Sequence, residues 1–255
     1  MGQPYSEIQE RAAWILAHML IVSSKYAKEV VNAGGISPFV YLMDSNNSMT
    51  KEESLRSLQE MTLFCKKYRD YAIANGMITK IVKIVMFDKT SMNIEHRVAQ
   101  LINAISMHSD ISIDALKELL PAIKKLLSSE NDEAINQILQ SMFFTMNHDD
   151  NDDEISQLFL DYGMAQKLVP FLDSENFKFR AIALPVIANL CSNNPEKIKI
   201  FLDLGILQFL PKLLNHKDTR ENALILWSRM KSDEELKEIL KDYEINETPN
   251  TKMEL

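Results

Sequence analysis

The chain has 255 residues, 46% of them hydrophobic and 25% charged, with a formal net charge of −8. The apolar share excludes a mainly disordered chain, and the acidic balance argues against nonspecific nucleic-acid binding, which needs a cationic face against phosphate. Only six glycines occur, where average usage gives roughly eighteen; sheet folds built on Gly-rich turns and phosphate-cradling glycine loops are excluded, and neither GxGxxG nor GxxxxGK[ST] is present.

The N-terminus, MGQPYSEIQE, lacks a basic region followed by an apolar stretch, so no signal peptide is expected. Gly2 and Ser6 fit the loose myristoylation pattern MGxxx[ST]. No uninterrupted apolar run approaches the roughly 20 residues of a membrane span. A first helix is expected near Ile8 to Val22, with no partner helix before it. Repeat arrays normally cap such an edge with polar residues, so this edge either frays or pairs with another molecule.

Glycines then punctuate the chain. Gly34 and Gly35 follow AKEVVNA, Gly76 follows RDYAIAN, Gly163 follows ISQLFLDY and Gly205 follows KIKIFLDL. Each is followed by an apolar helical stretch: ISPFVYLM, MITKIVKIV, MAQKLVPFL and ILQFLPKLL. Gly34 to Gly76 is 42 positions, Gly76 to Gly163 is 87, and Gly163 to Gly205 is 42 again. A fixed period near 42 marks a helical solenoid. Glycine adopts the left-handed conformation that ends a helix, which lets the next helix leave at a sharp angle. Each unit reads as short helix, glycine turn, middle helix, polar turn, long helix. The polar turns DSNNSMTKEE, FDKTSMN, SSENDE, DSENF and NHKD offer Asp and Ser as N-caps. One unit lacks its glycine, expected near Leu119; there the short first helix is compressed and Pro121 opens or bends the second.

Cys65 and Cys191 are far apart and without CxxC spacing, which predicts reduced core cysteines of an intracellular protein. The run HDDNDDE at 148–154 lacks the central glycine and alternating ligands of a calcium loop and reads as a solvated connection. His18, His96, His108, His148 and His216 show neither HExxH nor a paired i, i+4 spacing, so no metal and no cofactor is expected. Neither cysteine has a nearby His partner in sequence, and a non-enzymatic protein is expected. The fourteen methionines are read mainly as core.

Counting back from each glycine aligns the long helices. Sixteen residues before Gly34, Gly76, Gly163 and Gly205 stand His18, Glu60, Asn147 and Asn189; twenty before stand Trp14, Arg56, Phe143 and Pro185. In the irregular unit, pattern matching places Ala99 and Asn103 at these positions. Residues at i and i+4 share one helix face, so the pairs would form a ladder along one groove.

RAAWILAH, followed by VVNAGG, resembles the armadillo repeat of importin alpha (karyopherin alpha), whose groove motif is Trp-x-x-x-Asn on the third helix before a D/N-A-G turn. The resemblance runs over about residues 6–240. It implies an all-α fold: a right-handed armadillo-repeat superhelix of about five to six repeats over 1–243, with 244–255 as a disordered tail. It further implies that the chain begins at the third helix of the family's second repeat. The basic importin-beta-binding segment and the last repeats are then missing.

In the family, Trp rings pack against ligand Lys and Arg stems, and Asn amides bond an extended peptide backbone. Carried over residue by residue, the peptide-binding positions are Trp14, His18, Glu60, Asn103, Phe143, Asn147 and Asn189. Arg56 and Ala99 replace ring positions, and Arg56 opposes a ligand lysine unless it turns aside to Glu52 or Glu60. Glu10, Glu52 and Glu95 add negative potential one turn earlier. Trp14 fits groove or core, the asparagines fit a peptide or a neighbouring repeat, and Trp227 has no settled register. Of adjacent Phe143 and Phe144, one faces the core and one the groove. The implied function is an adaptor that binds basic nuclear localisation signals of cargo proteins, in cytoplasm and nucleus, with importin beta engaged indirectly. The alternative is an armadillo scaffold that has lost signal recognition and binds another protein.

Overall fold

The computed structural model describes residues 8, 11–12, 14–19, 24–108, 110–147, 152–191, 194–231, 236–237 and 240. Every regular element among them is a helix. The chain divides into two compact units, Met1–His148 and Asp149–Leu255. The division falls inside the acidic run, which offers almost no apolar side chain to bury. The tail at 244–255 lies outside the described residues.

In the N-terminal unit, residues 14–19 are helical. They are followed by α1 (Ser24–Asn32), α2 (Ile36–Leu42), α3 (Ser48–Phe64), α4 (Lys66–Ala74), α5 (Met77–Phe87), α6 (Met92–Ser106), α7 (Ile113–Leu126) and α8 (Asp132–Asn147). The C-terminal unit holds α9 (Asp152–Asp161), α10 (Ala165–Leu168) continuing as a 3-10 turn over Val169–Asp173, α11 (Phe177–Cys191) and α12 (Pro195–Asp203). After a 3-10 turn at Ile206–Gln208 come α13 (Leu210–Leu214) and α14 (Arg220–Met230).

The glycine expectation holds at the backbone. Gly34, Gly76, Gly163 and Gly205 have φ of 83°, 86°, 73° and 77°, the left-handed region that glycine adopts without a Cβ penalty. Gly35 is required for a different reason: a Cβ there would lie 2.5 Å from Val30 Cγ1 and 2.7 Å from the Val30 carbonyl oxygen. The long helices of the N-terminal unit start on side-chain caps, whereas α14 starts after Thr219 without one. Asn47, Ser91 and Asn131 accept from the amides of Thr50, Ile94 and Ala134. Ser91 caps α6 as expected, and Asn supplies the cap of α3 and α8 where Asp or Ser was expected.

The irregular unit differs from its reading. Among the described residues no separate short helix precedes α7, which runs unbroken through Pro121. The left-handed turn is made by Asp110, with φ of 63°, and not near Leu119, which is fully buried in α7. Asp is among the few non-glycine residues that visit this region. Arg69 of α4, 1% exposed, secures the turn. Its guanidinium donates to the carbonyls of His108 at 2.9 Å, Asp110 at 3.4 Å and Ile105 at 3.5 Å.

Third helices build the core of the N-terminal unit: α3 packs on α6 and α6 on α8, while α5 packs on α7. Leu55, Leu58 and Met61 meet this layer from α3, Val98, Ile102 and Ile105 from α6, and Ile138, Leu139 and Met142 from α8; all are essentially inaccessible. Each such side chain contributes about 1.5–3 kcal/mol by burial. Met43, Met77, Met164 and Met230 are also buried, while Met49, Met92 and Met107 are exposed. Lysines on middle helices reach back one repeat. Lys80 and Lys83 pair with Asp44, Lys125 bonds the Val85 carbonyl, and in the C-terminal unit Lys212 pairs with Asp173. The two lysines hold the Asp44 carboxyl below its usual range. Lys197 is the buried cation of the C-terminal unit; its ammonium donates to the Asp153 carboxylate at 2.7 Å and to Ser156 Oγ. Among the described residues no helix is long and apolar enough to cross a membrane.

Candidate peptide-binding face

Burial sets the register of the third helices. The buried positions that recur on all four long helices are 54, 55, 57, 58, 61 and 62 on α3 and 98, 99, 101, 102, 105 and 106 on α6, where Asn103 and Ala104 are buried as well. They are 138, 139, 141, 142, 145 and 146 on α8 and 183, 184, 186, 187, 190 and 191 on α11. Superposing these cores makes Arg56, Gln100, Gln140 and Pro185 equivalent. Glu60, Ala104, Phe144 and Asn189 are likewise equivalent, as are Gln59, Asn103, Phe143 and Ala188. The spacing is therefore uneven, because α7 replaces two helices and the connections differ in length. Pattern matching sets the third rung one residue early, and the count back from Gly163 sets the fourth three residues late. Ala99 is wholly buried in the core, and Asn103, Asn147 and Asn189 occupy three different positions instead of one.

On the N-terminal edge, Trp14 is 47% exposed. Its ring lies 4.1 Å from that of His18, tilted 36°, and His18 Nδ1 donates to the Trp14 carbonyl at 2.8 Å. This is a surface pair. Ile15 beside it is also exposed. An open apolar cavity of about 890 Å³ lies between this helix, α1 and α2, lined by Leu16, Val30, Phe39 and Tyr41 among others, with Glu29 at its wall.

The outward face of α3 is charged. Glu52, Glu53, Arg56 and Glu60 are half-buried there, and Leu63 and Phe64 are exposed beyond them. Arg56 makes no ion pair with Glu52 or Glu60 among the described residues, so it does not turn aside as its position next to them suggested. Glu95 does not serve the face either. It accepts from Ser129 Oγ at 2.6 Å, in the connection leading to α8. Glu10 lies outside the described residues.

The faces of α6 and α8 are rich in amides. Asn103, 8% exposed, donates through Nδ2 to Gln137 Oε1 at 2.7 Å and Gln140 Oε1 at 3.1 Å. Arg97 donates to Gln100 Oε1 at 3.0 Å. Asn103 thus bonds the neighbouring repeat, yet its Oδ1 is buried with no hydrogen-bond partner, as is Glu53 Oε2 on α3. An unpaired buried acceptor costs about 1–3 kcal/mol. His96 is held below its usual pKa range by burial and by Arg97, against Glu133. At the far end, Phe143 and Phe144 are both half-buried in an edge-to-face pair, 6.0 Å apart, so neither is wholly core. Asn147 donates to the Phe143 carbonyl at 2.8 Å.

Asn189 is half-buried on α11 of the C-terminal unit. Trp227 is 4% exposed, a core residue with the Lys231 ammonium 5.7 Å from its ring centre. Gln100, Gln137 and Gln140 escaped the sequence reading, which sought Trp and Asn; their signal is the core spacing that places Gln100 and Gln140 beside Arg56. No cluster of three metal-ligating side chains occurs among the described residues.

Residues 23–63 match the Armadillo/beta-catenin-like repeat family. Importin subunit alpha-1b of Oryza sativa subsp. japonica is 23% identical over 224 residues, 84% of this chain and 40% of that protein. Importin subunit alpha-2 of Arabidopsis thaliana is 22% identical over 181 residues, 68% of this chain and 32% of its own. Among solved structures, an engineered protein superposes with a TM-score of 0.76 and 24% identity, covering 89% of this chain and 92% of its own. A designed armadillo repeat protein in complex with the peptide (KR)4 superposes with a TM-score of 0.77 and 20% identity, covering 89% and 95%. The chain has the armadillo-repeat fold, an all-helical solenoid of about five repeats. Its distant relatives are the importin alpha subunits, and it spans about 40% of the length of the two rice subunits it matches.

Proposed function

We propose that the third-helix face of the N-terminal unit binds an extended segment of a partner protein that carries basic residues. The observation that carries this reading is the run of partly exposed amides and carboxylates across α3, α6 and α8: Glu52, Glu60, Gln100, Gln137 and Gln140. Backbone N–H groups and Lys or Arg side chains are the donors that such acceptors take. Trp14 offers an exposed ring for an aliphatic stem and its cation. The distant relation to importin alpha makes nuclear localisation signals the first candidate ligands and nucleocytoplasmic transport the first candidate use, with importin beta engaged through another protein. Glu60, Asn103, Phe143 and Asn147 complete the proposed contacts in this unit, and Asn189 is a separate candidate in the other.

A second reading is a scaffold that keeps the fold and binds a different chain. Arg56 and Ala104 favour it, since neither retains the family's ring or amide. Titrating the protein with a fluorescent lysine-rich localisation peptide and with a charge-reversed control at moderate salt separates the two. Preferential binding of the lysine-rich peptide is expected; equal, weak binding of both ends the signal-receptor reading.

A further inference from the structure

The position of Arg56 carries a sharper statement about the ligand, and it rests on the peptide-binding reading above. Arg56 sits at the middle of the outward face of α3, four residues from Glu52 on one side and Glu60 on the other. Four residues rise about 6 Å along a helix. Glu preceding Arg by four is the favourable order for a helical ion pair, yet neither pair forms. The other cations on α3 and α6 are engaged: Lys51 with Asp88 at 2.8 Å, and Arg97 with Gln100. The equivalents of Arg56 on α6 and α8 are Gln100 and Gln140, which are neutral. A half-buried arginine with no ion-pair partner among the described residues is therefore particular to this rung.

We infer that Arg56 selects an acidic side chain within an otherwise basic ligand. The planar guanidinium fork matches a carboxylate with two parallel hydrogen bonds, while a ligand lysine at the same place meets like charge. Glu52, Glu53 and Glu60 around it accept ligand cations on either side. The face on α3 thus reads a segment of mixed charge, a carboxylate flanked by lysines or arginines, in preference to an unbroken basic run.

The test is a glutamate scan. A lysine-rich peptide is compared with a set in which each lysine in turn becomes glutamate, and affinities are measured by fluorescence anisotropy with wild-type protein, Arg56→Ala, Arg56→Lys and Arg56→Glu. One glutamate position is expected to bind about tenfold more tightly than the unbroken peptide, the size of a well-formed charged pair. Arg56→Ala removes that preference, Arg56→Lys keeps part of it, and Arg56→Glu reverses it in favour of lysine. Thermal midpoints of the variants close to wild type show that the fold is intact. If no glutamate position improves binding, or if Arg56→Ala keeps the preference, the inference fails while the peptide-binding reading stands on the unbroken peptide. If no peptide in the set binds, both fail.

Discussion

The third helices of the two units share a core pattern and differ on the opposite face. In the N-terminal unit that face carries Glu52, Glu53, Arg56, Gln100, Asn103, Gln137 and Gln140. In the C-terminal unit the equivalent positions of α11 are Ala181, Ile182, Pro185 and Ala188, with Asn189 the polar exception, while α14 offers Glu221, Asn222, Ile225 and Ser228. Arg229 there is spent on the Ala188 carbonyl. The face of α11 is therefore poor in hydrogen-bonding groups, although it is built on the same repeat as α3, α6 and α8. The core specifies the repeat through apolar spacing alone, and so leaves the outward face open to diverge.

The buried cations should show the largest difference between the units. Arg69→Met leaves the carbonyls of Ile105, His108 and Asp110 without their donor and should cost about 3 kcal/mol. Lys197→Met should cost about 1–2 kcal/mol, because the Asp153 side chain is 81% exposed and returns to water. Urea unfolding of both variants measures this, and equal losses would mean that the irregular turn does not depend on Arg69. Next come the glycines. Gly35→Ala should cost about 2 kcal/mol from its clash with Val30. Gly205→Ala meets only the tip of Gln208 at 3.0 Å, so its cost is mainly the strain of positive φ, about 1 kcal/mol.

Asn103→Ala should remove about 1–2 kcal/mol of stability by breaking its bonds to Gln137 and Gln140. It should also weaken peptide binding, whereas Asn189→Ala should leave the lysine-rich peptide nearly unaffected. The cysteines give a smaller contrast. Burial pushes the Cys191 thiol up to about 12, while Cys65 is only half-buried. The unfolded Cys191 ionises near pH 8.5, so the unfolded chain holds fewer protons above that pH and stability falls as pH rises toward 12. Comparing urea midpoints of wild type and Cys191→Ala at rising pH checks this; parallel curves would contradict it. The smallest stability effect is expected for exposed Trp14→Ala, within about 0.5 kcal/mol, together with a clear loss of peptide affinity. A large drop in its thermal midpoint would make Trp14 a structural residue.

Much of the fold was legible along the chain because its signals are local. Left-handed backbone at Gly34, Gly76, Gly163 and Gly205 depends on each residue and its neighbours, and so does the capping of α3 and α6 by Asn47 and Ser91. The site was less legible. Trp14 and its pairing with His18 could be seen as a candidate rung, since both lie on one helix. Gln100 and Gln140 could not, because the irregular unit has no glycine to count from and the count back from Gly163 assumed an ordinary length for the connection after α8.

The amino-acid order alone therefore carried the helical repeat, its glycine turns and its relation to armadillo proteins, all written in short-range conformational preference and apolar spacing. Tertiary packing decided which residues of neighbouring third helices stand level, that Asp110 replaces a glycine under the hold of Arg69, and that Asn103 is shared with Gln137 and Gln140. These depend on connection lengths and on which surfaces meet, and residues some 34 to 41 positions apart come within hydrogen-bond distance only once the helices stack.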